Sequence, residues 1–255
     1  MTQLASRTNF LSQLYVQHGP RQSLSLYFAF AVGELRVRGI ELEFGTFDAL
    51  ERTNAANRQS WLPLTPTFNP QYNTLTTDNA FCLLGRDAAG EIVLTHAGRR
   101  FDWTQSSFKT EAEALRLFYD LADAAELAGE SCEVTAPTAD KISGVIAYTG
   151  AVWNRPDVRG RGLPNFVSRL ARAYALTTWN IDFAVAMMSE RNVSRGLVGN
   201  TGHSNLEGSV KSLRSPLGDV TYQLAWATPT NIMQELSEHL SLSRGDGRAV
   251  HQRHA

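Results

Sequence analysis

The sequence predicts a mixed α/β fold of the α+β kind: one domain on a twisted sheet of six to seven strands with helices on its flanks. Three observations lead there. Segments with period-two alternation recur along the chain, amphipathic segments of period 3.6 are interleaved with them, and the strongest strand feeds the strongest helix through a glycine-rich turn. A length of 255 residues allows one elaborated domain or two small ones. The continuous order of elements favours one.

Leu11, Leu14 and Tyr15 predict a short amphipathic helix stopped by Gly19-Pro20, so residues 1–34 read as a helical extension. Leu35 and Val37 alternate with Arg36 and Arg38, the phase shifts at Gly39, and Ile40, Leu42 and Phe44 resume it. That pattern predicts a strand with a bulge or tight turn. Thr46 can cap a helix whose Phe47, Leu50 and Ala55 share a face, followed by the proline-spaced loop 61–70. Residues 81–84 and 91–95 around the loop 87–90 read as a hairpin.

Thr110 and Glu113 make a capping-box pattern, and Leu115, Phe118, Leu121 and Ala125 then lie on one stripe of a helix over about 111–128, which Gly129 ends. Residues 143–153 form an apolar strand. After the turn, Leu163, Phe166, Val167, Leu170 and Tyr174 define the inner face of a helix while Ser168, Arg169 and Arg172 face away. A buried-type strand over 181–188, a short helix capped by Ser189 and running through Leu197, and a strand with Val220, Tyr222, Leu224 and Trp226 alternating complete the pattern. Thr228-Pro229 opens a last helix. The polar, Gly/Arg-rich residues 243–255 read as a flexible tail.

Composition excludes several classes. With 24 basic and 25 acidic side chains the formal charge is −1, so a simple polyanion-binding protein is excluded unless the basic residues are clustered. The longest apolar run, residues 26–32, is far short of the ~20 residues of a membrane span. The first twenty residues carry no secretory pattern. Cys82 and Cys132 cannot frame a disulfide network or a four-thiolate zinc site, although one isolated bridge stays open. A cytoplasmic location is the expectation.

The segment with chemical content is Arg159-Gly-Arg-Gly-Leu163. A glycine-rich turn at a helix N-terminus gathers unpaired N–H groups and the positive end of the helix dipole at one point, which suits an anion such as phosphate. Glycine leaves room for close approach, and Arg159 and Arg161 add charge at the rim. The glycines alone fit a plain strand-to-helix turn equally well.

The wider order, Val152-x-x-x-Pro156-Asp-x-Arg159-Gly-Arg-Gly162-Leu, resembles the acetyl-CoA-binding segment of the GCN5-related N-acetyltransferase superfamily, whose Arg/Gln-x-x-Gly-x-Gly/Ala signature starts here at Arg159. The resemblance spans about residues 38–228, and its specific core is residues 159–163. It implies a domain over 35–242 with a splayed central strand pair that takes the pantetheine arm, and a helical insertion over about 104–142 that offers an acceptor pocket or a homodimer surface. It also implies acetyl-CoA or another acyl-CoA as co-substrate, no metal, and an amine of a small molecule or protein as acceptor. Main-chain donors around Ala151, Val152 and Trp153 would face the thioester, and Arg159, Gly160, Arg161, Gly162, Leu163 and Asn192 would hold the CoA.

Two departures qualify what the resemblance implies. Pro164 stands where the signature has Gly or Ala and has no N–H to donate. The tyrosine that serves many relatives as general acid is missing from residues 197–200. The alternative reading is therefore an inactive acyl-CoA-binding or protein-interaction module of the same fold. His203 and His96 are the candidate bases because free imidazole titrates near neutrality, and Tyr148 and Tyr222 are candidate acids. Each has a bland counterpart, a hydrogen-bonded structural histidine or a packing tyrosine.

The remaining motifs are weak. His251 and His254 lack partners at zinc-ligand spacing, Gly-x-Ser-x-Gly does not occur, and Asn165 breaks the dinucleotide fingerprint after Gly162. Trp61, Phe68 and Tyr72 suit either a substrate-side lid or an aromatic loop pinned on its own core. Nucleic-acid contact through Arg155, Arg159, Arg161, Arg169 and Arg172 is disfavoured, since only Trp153 interleaves them.

Overall fold

The computed structural model describes residues 9–194, 196, 198 and 201–251. A 3₁₀ turn over Phe10–Gln13 leads to α1 (Arg21–Val37), β1 (Glu41–Gly45), α2 (Phe47–Ala56), β2 (Ala80–Arg86) and β3 (Ile92–Trp103). Then come α3 (Phe108–Glu113), α4 (Ala122–Leu127), β4 (Ser131–Val134), β5 (Gly144–Asn154) and α5 (Leu163–Trp179). The chain ends with β6 (Phe183–Ser189), α6 (Glu190–Ser194), β7 (Asn205–Ser215), β8 (Gly218–Ala227) and α7 (Pro229–His251).

The strands make one eight-stranded sheet in the order β1-β2-β3-β5-β6-β8-β7-β4. Its β5–β6 pair is parallel, and all the other pairs are antiparallel. The mixed, helix-flanked sheet is the predicted class, with one strand more than expected. Two layers of core cover its faces. On one, α1, α5 and α7 pack Leu24, Phe28, Leu170, Ala171 and Ile232 against Leu83, Ala147 and Ala184. On the other, α2, the loop with Phe68 and the segment after β3 cover Cys82, Ala97, Tyr148, Val185 and Leu224. Each fully buried Leu or Phe contributes about 1.5–3 kcal/mol, so α5, central to the first layer, is firmly seated.

Several sequence expectations need correction. Gly19-Pro20 precedes a helix instead of ending one. Pro20 is the N-cap of α1, whose buried Leu24, Tyr27, Phe28, Ala31, Val32 and Leu35 follow three- and four-residue steps, and Tyr15 is exposed. The alternation at Leu35 and Val37 is the last turn of α1, which therefore crosses the expected boundary at 34/35. Ile40 N–H donates back to the Leu35 carbonyl, and β1 begins just beyond.

The helix expected over 111–128 is broken. Leu115 takes a φ of 59°, and the Leu117 and Phe118 carbonyls are taken by Thr67 Oγ1 and Asn73 Nδ2 of the preceding loop. Ser107 is the cap of α3, and Glu113 accepts from Val134 N–H, not from a capping-box partner. The insertion is not wholly helical either, because β4 lies inside it and pairs with β7, a strand without clear alternation. At the other end α7 continues through His251, past the expected start of the tail at 243, and residues 252–255 lie outside the described residues.

The predicted solvent side of α5 is the largest discrepancy. Ser168, Arg169 and Arg172 are all buried, because α7 and residues 201–203 lie over them. Periodicity within one helix cannot foresee a second layer. Cys82 and Cys132 are buried free thiols.

Candidate functional site

β5 leaves the sheet through a 3₁₀ turn over Pro156–Val158 and enters α5 by way of Arg159-Gly-Arg-Gly162. Gly160 and Gly162 have φ values of 80° and 69°, a left-handed conformation that other residues adopt only under strain. A side chain built on Gly160 would meet nothing within 4 Å, so the turn is open on that side. Among the described residues, no acceptor receives the backbone N–H of Gly160, Arg161, Gly162 or Leu163. Asn165 N–H turns back to the Gly162 carbonyl, and Pro164 occupies the first helical turn without a donor.

The two arginines brace the turn. Arg159 Nε donates to the Asn154 carbonyl at 3.0 Å and its Nη2 to the Ser60 carbonyl at 3.2 Å. Arg161 donates to the Arg38 and Asp157 carbonyls, while Arg38 Nε donates to the Arg161 carbonyl at 3.0 Å. The end of α1 and the loop after α2 thereby fix the glycine segment. Arg155 is paired with Asp87 and Asp157, and the hydrogen bonds it donates hold the Asp157 carboxyl below the usual range.

Beside this turn the sheet forks. β5 and β6 pair only at Ile146–Phe183, Ala147–Ala184 and Tyr148–Val185. Beyond them β5 follows β3 as far as Asn154 opposite Leu94, and β6 follows β8 as far as Ser189 opposite Tyr222. A bulge sets the divergence: Thr95 faces Trp153 and Ala97 faces Gly150, so Ala151 and Val152 together oppose His96. Ala151 has a φ of 52°, and its carbonyl accepts from Thr95 Oγ1 at 2.8 Å.

Aromatic side chains wall one face of the fork. Phe68 lies against Gly150 and stacks on Tyr148, and Trp153 stacks on Trp61 at 5.3 Å and donates to Ser60 Oγ. On the helix side Arg172 Nη1 donates to the Thr201 carbonyl, and Nη2 donates to the Gly202 carbonyl and Glu235 Oε2. These bonds tie the chain that follows β5 to the chain that follows β6.

The predicted residues divide accordingly. Arg159, Gly160, Arg161, Gly162 and Leu163 form the turn, Leu163 being buried, and Ala151, Val152 and Trp153 form the bulge at the fork. Asn192 is exposed on α6, without a hydrogen bond to the turn. His96 is buried, and burial and then the Arg172 charge lower its pKa to about 3. His203 is pushed well below its ordinary value by the same two causes, and its ring lies against Arg172 and Thr201 Oγ1. Burial raises the Tyr148 phenol and pushes Tyr222 up to about 12. Leu197, Gly199 and Asn200, in the segment where the resemblance led to the expectation of a tyrosine, lie outside the described residues.

Sequence reasoning missed Arg172, Glu235 and the partnership of Phe68 with Gly150. A glycine inside an apolar strand marks close approach by another group, and that clue was present at Gly150. Of the five arginines that could form a basic patch, Arg155, Arg169 and Arg172 are engaged in ion pairs. Among the described residues, no group of three or more His, Cys, Asp or Glu side chains could hold a metal, and no helix is long and apolar enough to cross a membrane.

No protein-family model matches the chain, and no curated protein matches it. Among solved structures it is similar to a spermidine N-acetyltransferase mutant from Vibrio cholerae at 9% identity and a TM-score of 0.45, covering 76% of this chain and 96% of that one. It is similar to an aminoglycoside acetyltransferase in complex with coenzyme A and kanamycin at 13% identity and a TM-score of 0.43, covering 76% and 98%. A third likeness is to an uncharacterized protein from Bacillus halodurans, at 11% identity and a TM-score of 0.45, covering 78% and 89%.

Proposed function

We propose that the chain is a CoA-dependent N-acyltransferase that binds its acyl-CoA at the mouth of the β5–β6 fork. The observation that carries this reading is the coincidence of two features at one end of the sheet. The parallel pair stops after Tyr148 and Val185, and the unbonded amides of residues 160–163 stand where β5 hands over to α5. Those amides suit a diphosphate, and the gap suits an extended, uncharged arm. Main-chain N–H groups of the bulge around Ala151, Val152 and Trp153 are the donors for the thioester oxygen, and Arg159 and Arg161 keep the turn in shape. A neutral amine then attacks the thioester carbon, the C–S bond breaks, and the ammonium proton passes to the thiolate or to water. The fork contributes chiefly proximity and fixed donors. His96, neutral and enclosed, is left out of this mechanism.

A second reading is a non-catalytic acyl-CoA-binding module. The closure of the helix side by Arg172, Gly202 and Glu235 favours it, as does the donor missing at Pro164. Titration calorimetry with acetyl-CoA, followed by thiol release with a panel of amines, separates the two. Turnover supports the transferase, and binding without turnover supports the module. Absence of CoA binding rejects both.

A further inference from the structure

We infer that Thr95 is a positioning residue of this site, whose hydroxyl holds the bulge of β5 in the conformation that aims the Val152 N–H away from β3. This inference rests on the acyl-CoA reading above and names the side chain that fixes the donor for the thioester oxygen. Thr95 is fully buried, and two residues along β3 its neighbour on the same face is Ala97, part of the apolar layer with Cys82 and Tyr148. A valine would fill the same space, and a hydroxyl taken into such surroundings costs free energy unless it is bonded. Thr95 Oγ1 finds its partner across the strands in the Ala151 carbonyl, 2.8 Å away. Carbonyl and N–H point opposite ways in a trans peptide. The bond therefore turns the Val152 N–H away from Thr95, toward the side on which β6 has parted from β5.

The bulge needs such a hold. Ala151 has a φ of 52°, a left-handed conformation that costs a residue with a Cβ about as much as one hydrogen bond contributes. Without the hydroxyl, rotation of the peptide between Ala151 and Val152 would relieve that conformation and swing the N–H aside. The place is also open to a ligand. Val152 is 39% exposed, although β5 is an interior strand of the sheet and Tyr148, Thr149 and Trp153 on either side of the bulge are buried.

The test is isotope-edited infrared spectroscopy of acetyl-CoA, labelled at its carbonyl carbon, bound to the wild-type chain, Thr95→Val, Thr95→Ser and Thr95→Val combined with Ala151→Gly. Calorimetry with CoA and thermal melts control for binding and folding. The band is the readout because it reports whether or not the protein turns over. A thioester carbonyl held against a fixed donor absorbs at lower frequency, so the wild-type band should lie below that of free acetyl-CoA in water. Thr95→Val should return the band to the free position while CoA affinity stays within about twofold, and with any amine that is accepted kcat should fall at least about tenfold at little cost in KM. Thr95→Ser keeps the hydroxyl and should keep the shift. Ala151→Gly removes the strain, so the double variant should regain much of it. If Thr95→Val does not fold, Thr95→Ala is read in the same way. A wild-type band at the free position, a shift that survives loss of the hydroxyl, or one that Ala151→Gly fails to restore overturns the role of Thr95. Failure of CoA itself to bind wild type rejects the acyl-CoA reading instead, and this inference with it.

Discussion

Arg172 in the middle of α5 donates to Glu235 Oε2 of α7 at 2.6 Å, and Arg169 Nε lies 3.0 Å from the other oxygen of the same carboxylate. One acid therefore balances two guanidinium groups, and Arg172 is 1% exposed. Breaking a buried pair leaves an uncompensated charge, so Glu235→Gln should cost about 3–5 kcal/mol in urea unfolding. Arg172→Met combined with Glu235→Leu should recover much of that loss, since an apolar pair avoids the desolvation. A loss below about 1 kcal/mol for Glu235→Gln would place the carboxylate in the class of surface pairs.

Three imidazoles with lowered pKa values, those of His96, His203 and His239, contribute to the loss of stability in acid. The pKa of His96 in the folded chain is about 3 against an ordinary 6.5, and that of His203 is lowered as well. Between the folded and unfolded values the unfolded chain binds more protons, so the stability these histidines contribute is complete well above 6.5 and is lost as pH drops below it. Each histidine adds a slope approaching ~1.4 kcal/mol per pH unit. Unfolding at pH 7.5, 6.0 and 5.0 should therefore show a shallower acid loss in His96→Gln than in wild type. Parallel profiles would mean that His96 charges in the folded state.

Much of the architecture was legible because it is written in local patterns. Thr46 caps α2, the hairpin lies where its turn residues put it, and β5, the glycine turn and α5 follow in the expected order. Elements governed by distant partners were not legible. Leu115 leaves the helical conformation although its stripe is regular, as carbonyls after it bond to Thr67 and Asn73 some fifty residues earlier. The same holds at the site. The residues of the turn could be listed from sequence, whereas the closure at Arg172 and the wall at Phe68 depend on α7 and on a loop that no period predicts.

Gly162 is the sharper point at which to probe the turn. It is the N-cap of α5 with a φ of 69°, and a methyl group there would be in ordinary contact with Asn165 Nδ2 at 3.8 Å. Gly162→Val should thus cost only about 1–2 kcal/mol of stability from the left-handed conformation. CoA affinity should fall at least about tenfold, because the side chain stands among the amides that face the diphosphate. Circular dichroism checks the fold and calorimetry the binding. Unchanged affinity in a folded variant would move the phosphate site elsewhere.

Pro164 offers a test of opposite sign. It lies in the first turn of α5, where a residue with an N–H would point one more donor toward the anion that residues 160–163 are proposed to hold. Pro164→Ala supplies that donor and leaves the helix intact, since alanine is a better helix former than any other residue. The unfolded chain gains freedom, which should lower stability by about 0.4–1 kcal/mol. A hydrogen bond to a charged group contributes about 1.5–3 kcal/mol, and partial alignment with the diphosphate reduces that to a three- to tenfold gain in CoA affinity. A variant that binds more tightly while melting earlier cannot be explained by general stabilisation, so the helix end itself must contact the phosphates. Equal or weaker binding would mean that the diphosphate does not meet the first turn of α5.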